Sequence, residues 1–179
     1  QNVLAQLGVK GQNWGAAVAY RYGSENAQLR DPNSPSSSFF RRLGDGQSSN
    51  SVSLAGYWVP MDVKWLPSIS AGGSYTNYTK GATRPSADIY SWMVGLQWKD
   101  VFVKGNQAGF AVGSPLYVAS SSASASEQTP GFMYQIHYKY QVSNNISITP
   151  AIFWIDNNYN DLNAGSSTYG GVIQTTFKF

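Results

Sequence analysis

Apolar and polar side chains alternate along the last twelve residues. Phe179, Phe177, Thr175, Ile173, Gly171 and Tyr169 occupy one set of positions, and Lys178, Thr176, Gln174, Val172, Gly170 and Thr168 the other. A period of two is that of a β-strand, whose successive side chains point to opposite faces. Here one face suits lipid and the other water, and the strand ends on an aromatic, Phe179. A strand of a transmembrane β-barrel has this pattern, because lipid-facing and lumen-facing residues alternate and aromatics gather at the interfaces.

The same reasoning along the chain predicts nine strands, at about 3–9, 14–22, 49–58, 68–78, 88–98, 107–117, 131–142, 146–156 and 167–179, with no helix. Most are about ten residues long, the length of a tilted strand that crosses a bilayer. The connections are expected to alternate strictly. Short ones fall at 10–13, 60–67, 99–106 and 143–145, and long ones, rich in Ser, Gly, Pro and Asn, at 23–48, 79–87, 118–130 and 157–166. Short periplasmic turns and longer external loops produce such an alternation. If the end bearing Phe179 is periplasmic, chain direction places Trp14, Trp58, Trp98 and Tyr140 at that end. Tyr20, Tyr22, Tyr75, Tyr90, Trp92, Phe132, Tyr134, Trp154 and Tyr169 then fall at the external end. Val18, Leu54, Val94, Leu96, Ile136, Ile152 and Ile173 lie between them, as an aliphatic band between two aromatic girdles. Trp14, Trp58, Trp92, Trp98, Tyr140, Trp154 and Phe179 are therefore the girdle candidates. Pro150 falls inside a strand on the outward face, where its missing N–H disrupts the ladder unless a bulge absorbs it.

An odd strand count, with strand-like sequence already at Val3-Leu4-Ala5-Gln6-Leu7 and no leader before Gln1, implies a processed or partial chain with further strands upstream. Composition narrows the classes. Of the 179 residues, only 12% are charged while 15% are aromatic, and the longest apolar runs are far too short for a membrane helix. There is no cysteine, so disulfides and thiolate metal sites are excluded. The net charge of +3 is spread along the chain, with Arg41-Arg42 the sole adjacent basic pair, which speaks against nucleic-acid binding.

Several passages resemble one family. They are Trp58-Val59-Pro60 with Trp65-Leu66-Pro67-Ser68-Ile69-Ser70-Ala71-Gly72, and Val94-Gly95-Leu96-Gln97-Trp98-Lys99-Asp100-Val101-Phe102-Val103-Lys104-Gly105-Asn106. Gly109-Phe110-Ala111-Val112-Gly113, Asn145-Ile146-Ser147-Ile148-Thr149-Pro150 and Thr175-Thr176-Phe177-Lys178-Phe179 continue them. From about Trp14 onward the chain resembles the major outer-membrane porins of cyanobacteria, which belong with the carbohydrate-selective porin B family and are also termed iron-uptake porins. The resemblance implies an all-β fold, the carboxy-terminal part of an antiparallel transmembrane β-barrel, with about nine strands here of about sixteen. It also implies the outer membrane of a Gram-negative-type, cyanobacterial cell and a homotrimer. Outer-membrane lipid is the expected surrounding, and the barrel-assembly machinery is the expected partner of the strand ending at Phe179. The family's wall-binding surface-layer-homology domain has no counterpart in these residues.

Catalysis has little to work with. His137 is the sole histidine, and the strand it sits on carries no carboxylate to orient it. The run 156–161 is oxygen-rich but lacks the Gly and Glu positions of a calcium loop, so no metal site and no cofactor are expected. The inward set is instead small and neutral-polar: Gln6, Ser51, Ser53, Ser70, Ser74, Ser91, Gln97, Gln107, Gln135, His137, Gln141, Ser147, Thr149, Gln174 and Thr176, with basic Arg21, Lys139 and Lys178. This is a pore lining for passive diffusion of ions and small hydrophilic solutes, with a weak anion preference. In the long 23–48 connection, Phe39, Phe40, Arg41 and Arg42 are candidates for a constriction folded into the pore. The alternatives are a structural or adhesive barrel without an open pore, a barrel enzyme, and a soluble lectin-like sandwich.

Overall fold

The fold is that of a computed structural model, which describes residues 1–24, 47–61, 63, 65–79, 85–122, 129–157 and 167–178. Nine strands make one antiparallel sheet in which each pairs with the next in sequence: β1 (Asn2–Lys10), β2 (Trp14–Gly23), β3 (Ser49–Trp58), β4 (Ser68–Tyr78), β5 (Ala87–Lys99), β6 (Gln107–Ser121), β7 (Met133–Gln141), β8 (Ile146–Ile155) and β9 (Thr168–Phe177). The protein is all-β, and no helix occurs among the described residues. A meander of this kind follows from the period-two pattern, because residues directly opposite in an antiparallel pair share a face and the pattern therefore propagates from strand to strand.

Register divides the residues into two faces. The apolar face carries Leu7, Val18, Leu54, Gly73, Trp92 and Ser114 as one continuous cross-strand row, and Phe110, Ile136, Ile152 and Gly171 as another. Large apolar side chains stand open on it: Leu54 is 63%, Ile136 63%, Ile152 69% and Ile173 76% exposed. In water such a surface would be far larger than a soluble protein tolerates. The opposite, polar face carries mostly Gly, Ala, Ser, Gln and Lys, with Leu4, Tyr57, Met93, Met133, Phe153 and Val172 among them.

Packing on the polar face is concentrated at one end. Tyr78, Ala87, Ile89 and Val118 are fully buried there with Leu116 against them, and Gln47 is buried beside them. Its Nε2 donates to Thr79 O (2.9 Å) and Pro85 O (2.7 Å), which ties together the two ends of the connection between β4 and β5.

Two expectations need correction, and a third, at Pro150, takes the disrupted-ladder form. The connections do not alternate strictly, since 59–67 is one residue longer than 79–86 at the opposite end. The sixth strand runs to Ser121 rather than to 117. Two register shifts against β5 carry it past Pro115, and pairing with β7 stops at Gly113, so the proline's missing N–H falls where β6 no longer needs a β7 partner. Pro150 does not induce a bulge. It leaves a gap in the β7–β8 ladder opposite Tyr138, and the same register resumes at Tyr140↔Ile148. On its other side Pro150 pairs with Ile173 in an unbroken β8–β9 ladder.

Candidate functional site

Odd-numbered strands run towards the connections at 11–13, 59–67, 100–106 and 142–145, here termed the turn end. The other end of the sheet is the loop end. On the apolar face the aromatics sort to these ends. Trp14 pairs with Trp58 at the turn end, where Trp98 and Tyr140 also lie. At the loop end a chain of rings runs across the sheet. Tyr75 and Tyr90 have centroids 5.1 Å apart, Tyr90 and Tyr117 6.3 Å, Trp92 and Phe132 6.2 Å, and Tyr134 stacks on Trp154 at 5.4 Å. Trp98 and Trp92 are six residues apart on β5, about 20 Å along the strand, with Val94 and Leu96 between them. Two rings of amphipathic side chains separated by an aliphatic band is the profile of a surface that meets a bilayer. All the girdle candidates except Phe179 share this face; Phe179 lies outside the described residues.

Asp88 stands on the same face at its loop-end edge, with its carboxylate satisfied. Tyr75 Oη and Asn77 Nδ2 donate to Oδ1 at 2.7 and 2.8 Å, and Ser120 Oγ donates to Oδ2 at 2.7 Å. Three donors from β4 and β6 thus hold a charge at the rim of an otherwise apolar surface.

The polar face carries every predicted lining residue. Arg21 (β2), Gln97 (β5), Gln135, His137 and Lys139 (β7) and Gln174 (β9) lie on it by register, and Lys178 follows β9 at the turn end. Arg21 sits in a recess of about 310 Å³ lined by Ser51, Ser53, Ser74, Thr76 and Ser91 together with Leu4, Ala19 and Leu116, and its buried Nη1 has no hydrogen-bond partner there. Gln97 Nε2 donates to Gln107 Oε1 at 2.7 Å, and Ser74 and Ser91 share a hydrogen bond of 2.7 Å. Phe39, Phe40, Arg41 and Arg42 lie outside the described residues.

Two features escaped the sequence reading. Three rings on the polar face lie flat on a directly opposite glycine: Tyr57 on Gly15, His137 on Gly109 and Phe153 on Gly170. A Cβ on Gly15 would stand 2.5 Å from Tyr57 Cε1, and one on Gly170 2.6 Å from Phe153 Cζ. Absence of a side chain therefore lets each ring hug the wall instead of projecting from the sheet. Gly opposite an aromatic is the signal, but it requires the register to be known. The second feature is that Lys10 and Lys99, at strand ends, also belong to the polar face.

Among the described residues no group of three or more His, Asp or Glu is placed to hold a metal. Asp156 instead accepts the Phe132 N–H at 2.7 Å as part of the connection into β7. His137 faces Gly109 and Ala151, and no carboxylate pairs with it across either ladder.

The carbohydrate-selective porin (OprB) family model matches residues 6–179. The chain belongs to the OprB family. Two uncharacterized cyanobacterial proteins accompany that match. One, of Nostoc sp., is 33% identical over 138 residues, covering 75% of this chain and 22% of the relative. The other, of Synechocystis sp., is 33% identical over 117 residues, covering 60% of this chain and 21% of the relative. The chain thus spans about a fifth of the length of these relatives. No solved structure matches it.

Proposed function

We propose that this chain forms part of the wall of an outer-membrane channel, through which ions and small hydrophilic solutes, sugars among them, diffuse passively. The observation that carries the reading is the separation of faces by register: aliphatic residues between two aromatic rims on one side, and small, amide, hydroxyl and lysine side chains on the other. Lipid fits the first surface and a water-filled lumen the second. Flattened rings at Tyr57, His137 and Phe153 keep the lumen side of the wall low. In this reading the edge ladders of β1 and β9 pair with further strands of the protein, about sixteen in all, because an open sheet edge is not tolerated in lipid. No turnover chemistry is required. Selectivity arises from width and lining charge. The setting is the outer membrane of a cyanobacterial-type cell, and the channel assembles as a trimer.

The apolar cluster of Tyr78, Ile89 and Val118, buried on the lumen side at the loop end, is the one observation that favours the competing reading of a closed, structural barrel. Swelling of vesicles that hold the purified native protein, in isotonic sugars of rising size, separates the two. An open channel gives rates that fall with sugar mass; a closed barrel gives none for any sugar.

A further inference from the structure

Lysines recur on the polar face with a regularity that the strand order alone reveals. Five strands run towards the turn end, and four of them deliver a lysine to the polar face within two residues of their last position. These are Lys10 on β1, Lys99 on β5, Lys139 on β7 and Lys178 just past β9. β3 instead delivers Tyr57. The neighbouring position on the apolar face is Val9, Trp98, Tyr140 or Phe177, so the membrane rim and the lysine are adjacent in sequence and opposite in direction.

Two of the lysines share a built arrangement. Lys99, Gln107 and Lys139 are consecutive partners in one cross-strand row. Strand spacing puts the two lysine Cα atoms about 10 Å apart with Gln107 midway, within reach of both four-carbon stems. Gln107 Oε1 accepts from Gln97 Nε2 at 2.7 Å, which turns the oxygen towards β5 and leaves the two N–H donors of the Gln107 amide for a ligand. An ion above Gln107 lies between two lysine ammonium groups and within reach of amide N–H donors.

Among the described residues no carboxylate stands in this row. Asp100 follows Lys99 in the turn, where its Oδ1 accepts the Gly105 N–H at 2.8 Å. Asp88 and Asp156 lie at the loop end. No Asp or Glu stands on the polar face of any described strand. At the loop end, that face instead presents Arg21 among hydroxyls and the buried apolar cluster.

We propose that the turn end of the polar face is an oxyanion-binding collar, with Lys99, Gln107 and Lys139 as its subsite for small phosphate-, sulfate- or carboxylate-bearing solutes. Lys10 and Lys178 extend the field around it. The proposal rests on the channel reading above and adds a property that reading does not contain: a defined anion subsite built from adjacent strands at the turn-end mouth. Low-dielectric walls focus the field of such charges into the lumen, and rings of Lys or Arg favour anions over cations.

Single-channel recording of the full-length protein in potassium chloride tests it, with inorganic phosphate added first to one side and then to the other. In the wild type, phosphate on the turn-end side reduces chloride current at lower concentration than phosphate on the loop-end side. The Lys99→Gln/Lys139→Gln variant loses this difference, and its anion-to-cation permeability ratio falls about fivefold at 0.1 M salt, as removal of two screened charges roughly 8 Å from the path predicts, since the anion loses and the cation gains about twofold. The Lys99→Arg/Lys139→Arg variant keeps the charge and retains both properties. Conductance steps in the wild type that are indifferent to the side of phosphate addition, with a ratio unchanged in the Gln variant, overturn the collar and leave the channel standing. A wild type that inserts without conducting overturns the channel reading, and the collar with it.

Discussion

Ile173 and Val172 are adjacent, similar in chemistry and both near the middle of β9. Ile173 pairs with Pro150 on the apolar face and Val172 with Ala151 on the polar face. In the isolated chain both stand open, at 76% and 55% exposure. Replacing either by lysine on a water-facing surface would change stability by less than about 0.5 kcal/mol. In a bilayer the two must differ. A lysine on the lipid face of a barrel costs about 2–4 kcal/mol near the midplane and only about 0–1 kcal/mol at the interfaces. A lysine on the lumen side remains hydrated. Ile173→Lys is therefore expected to shift the folding equilibrium by about 30- to 700-fold, and Val172→Lys by no more than a few-fold. The assay is reversible urea unfolding of the full-length protein in lipid vesicles, followed by tryptophan fluorescence and by the mobility difference of folded and heated samples on gels. Equal losses in the two variants, or a larger loss for Val172→Lys, would refute the assignment of faces.

Other substitutions test particular contacts. A Cβ on Gly113 would stand 2.5 Å from the Trp92 carbonyl oxygen and 3.1 Å from Met93 Cα, both backbone atoms, so Gly113→Ala should cost about 1–3 kcal/mol in the same unfolding assay. Gly73→Ala is its control, because its nearest neighbour, Ser91 O at 3.4 Å, is an ordinary contact and the expected change is within about 0.5 kcal/mol. Asp88→Ala removes the acceptor of three side-chain hydrogen bonds and should cost about 1–3 kcal/mol, with Ser120→Ala costing less in the same titration. Deleting 34–46, which spares the buried Gln47, should raise single-channel conductance if Phe39, Phe40, Arg41 and Arg42 narrow the pore; unchanged conductance assigns the constriction elsewhere.

The two faces were legible in the sequence because a strand has the simplest periodicity a chain can carry, and a surface that meets lipid leaves little freedom at alternate positions. Ile136, Ile152 and Ile173 announce their face without any knowledge of their partners. Features that depend on pairing were not legible. Whether a strand-end residue such as Lys10 or Lys99 joins the sheet depends on one more ladder pair, which turn chemistry decides. The rings of Tyr57, His137 and Phe153 lie flat only because glycine happens to be opposite, and that fact belongs to the register. Shifts along β6 and the intact register around Pro150 likewise turn on which side of a strand still has a partner. Loop length was a weaker guide than residue pattern, since 59–67 exceeds 79–86.

A water-filled lumen is the central claim, and conductance is its most direct consequence. The purified full-length protein, added to a planar lipid bilayer in symmetric potassium chloride, should produce discrete, long-lived conductance steps that recur with a common amplitude. Insertion shown by membrane floatation, with no steps at any applied voltage, would contradict the account and favour a closed barrel.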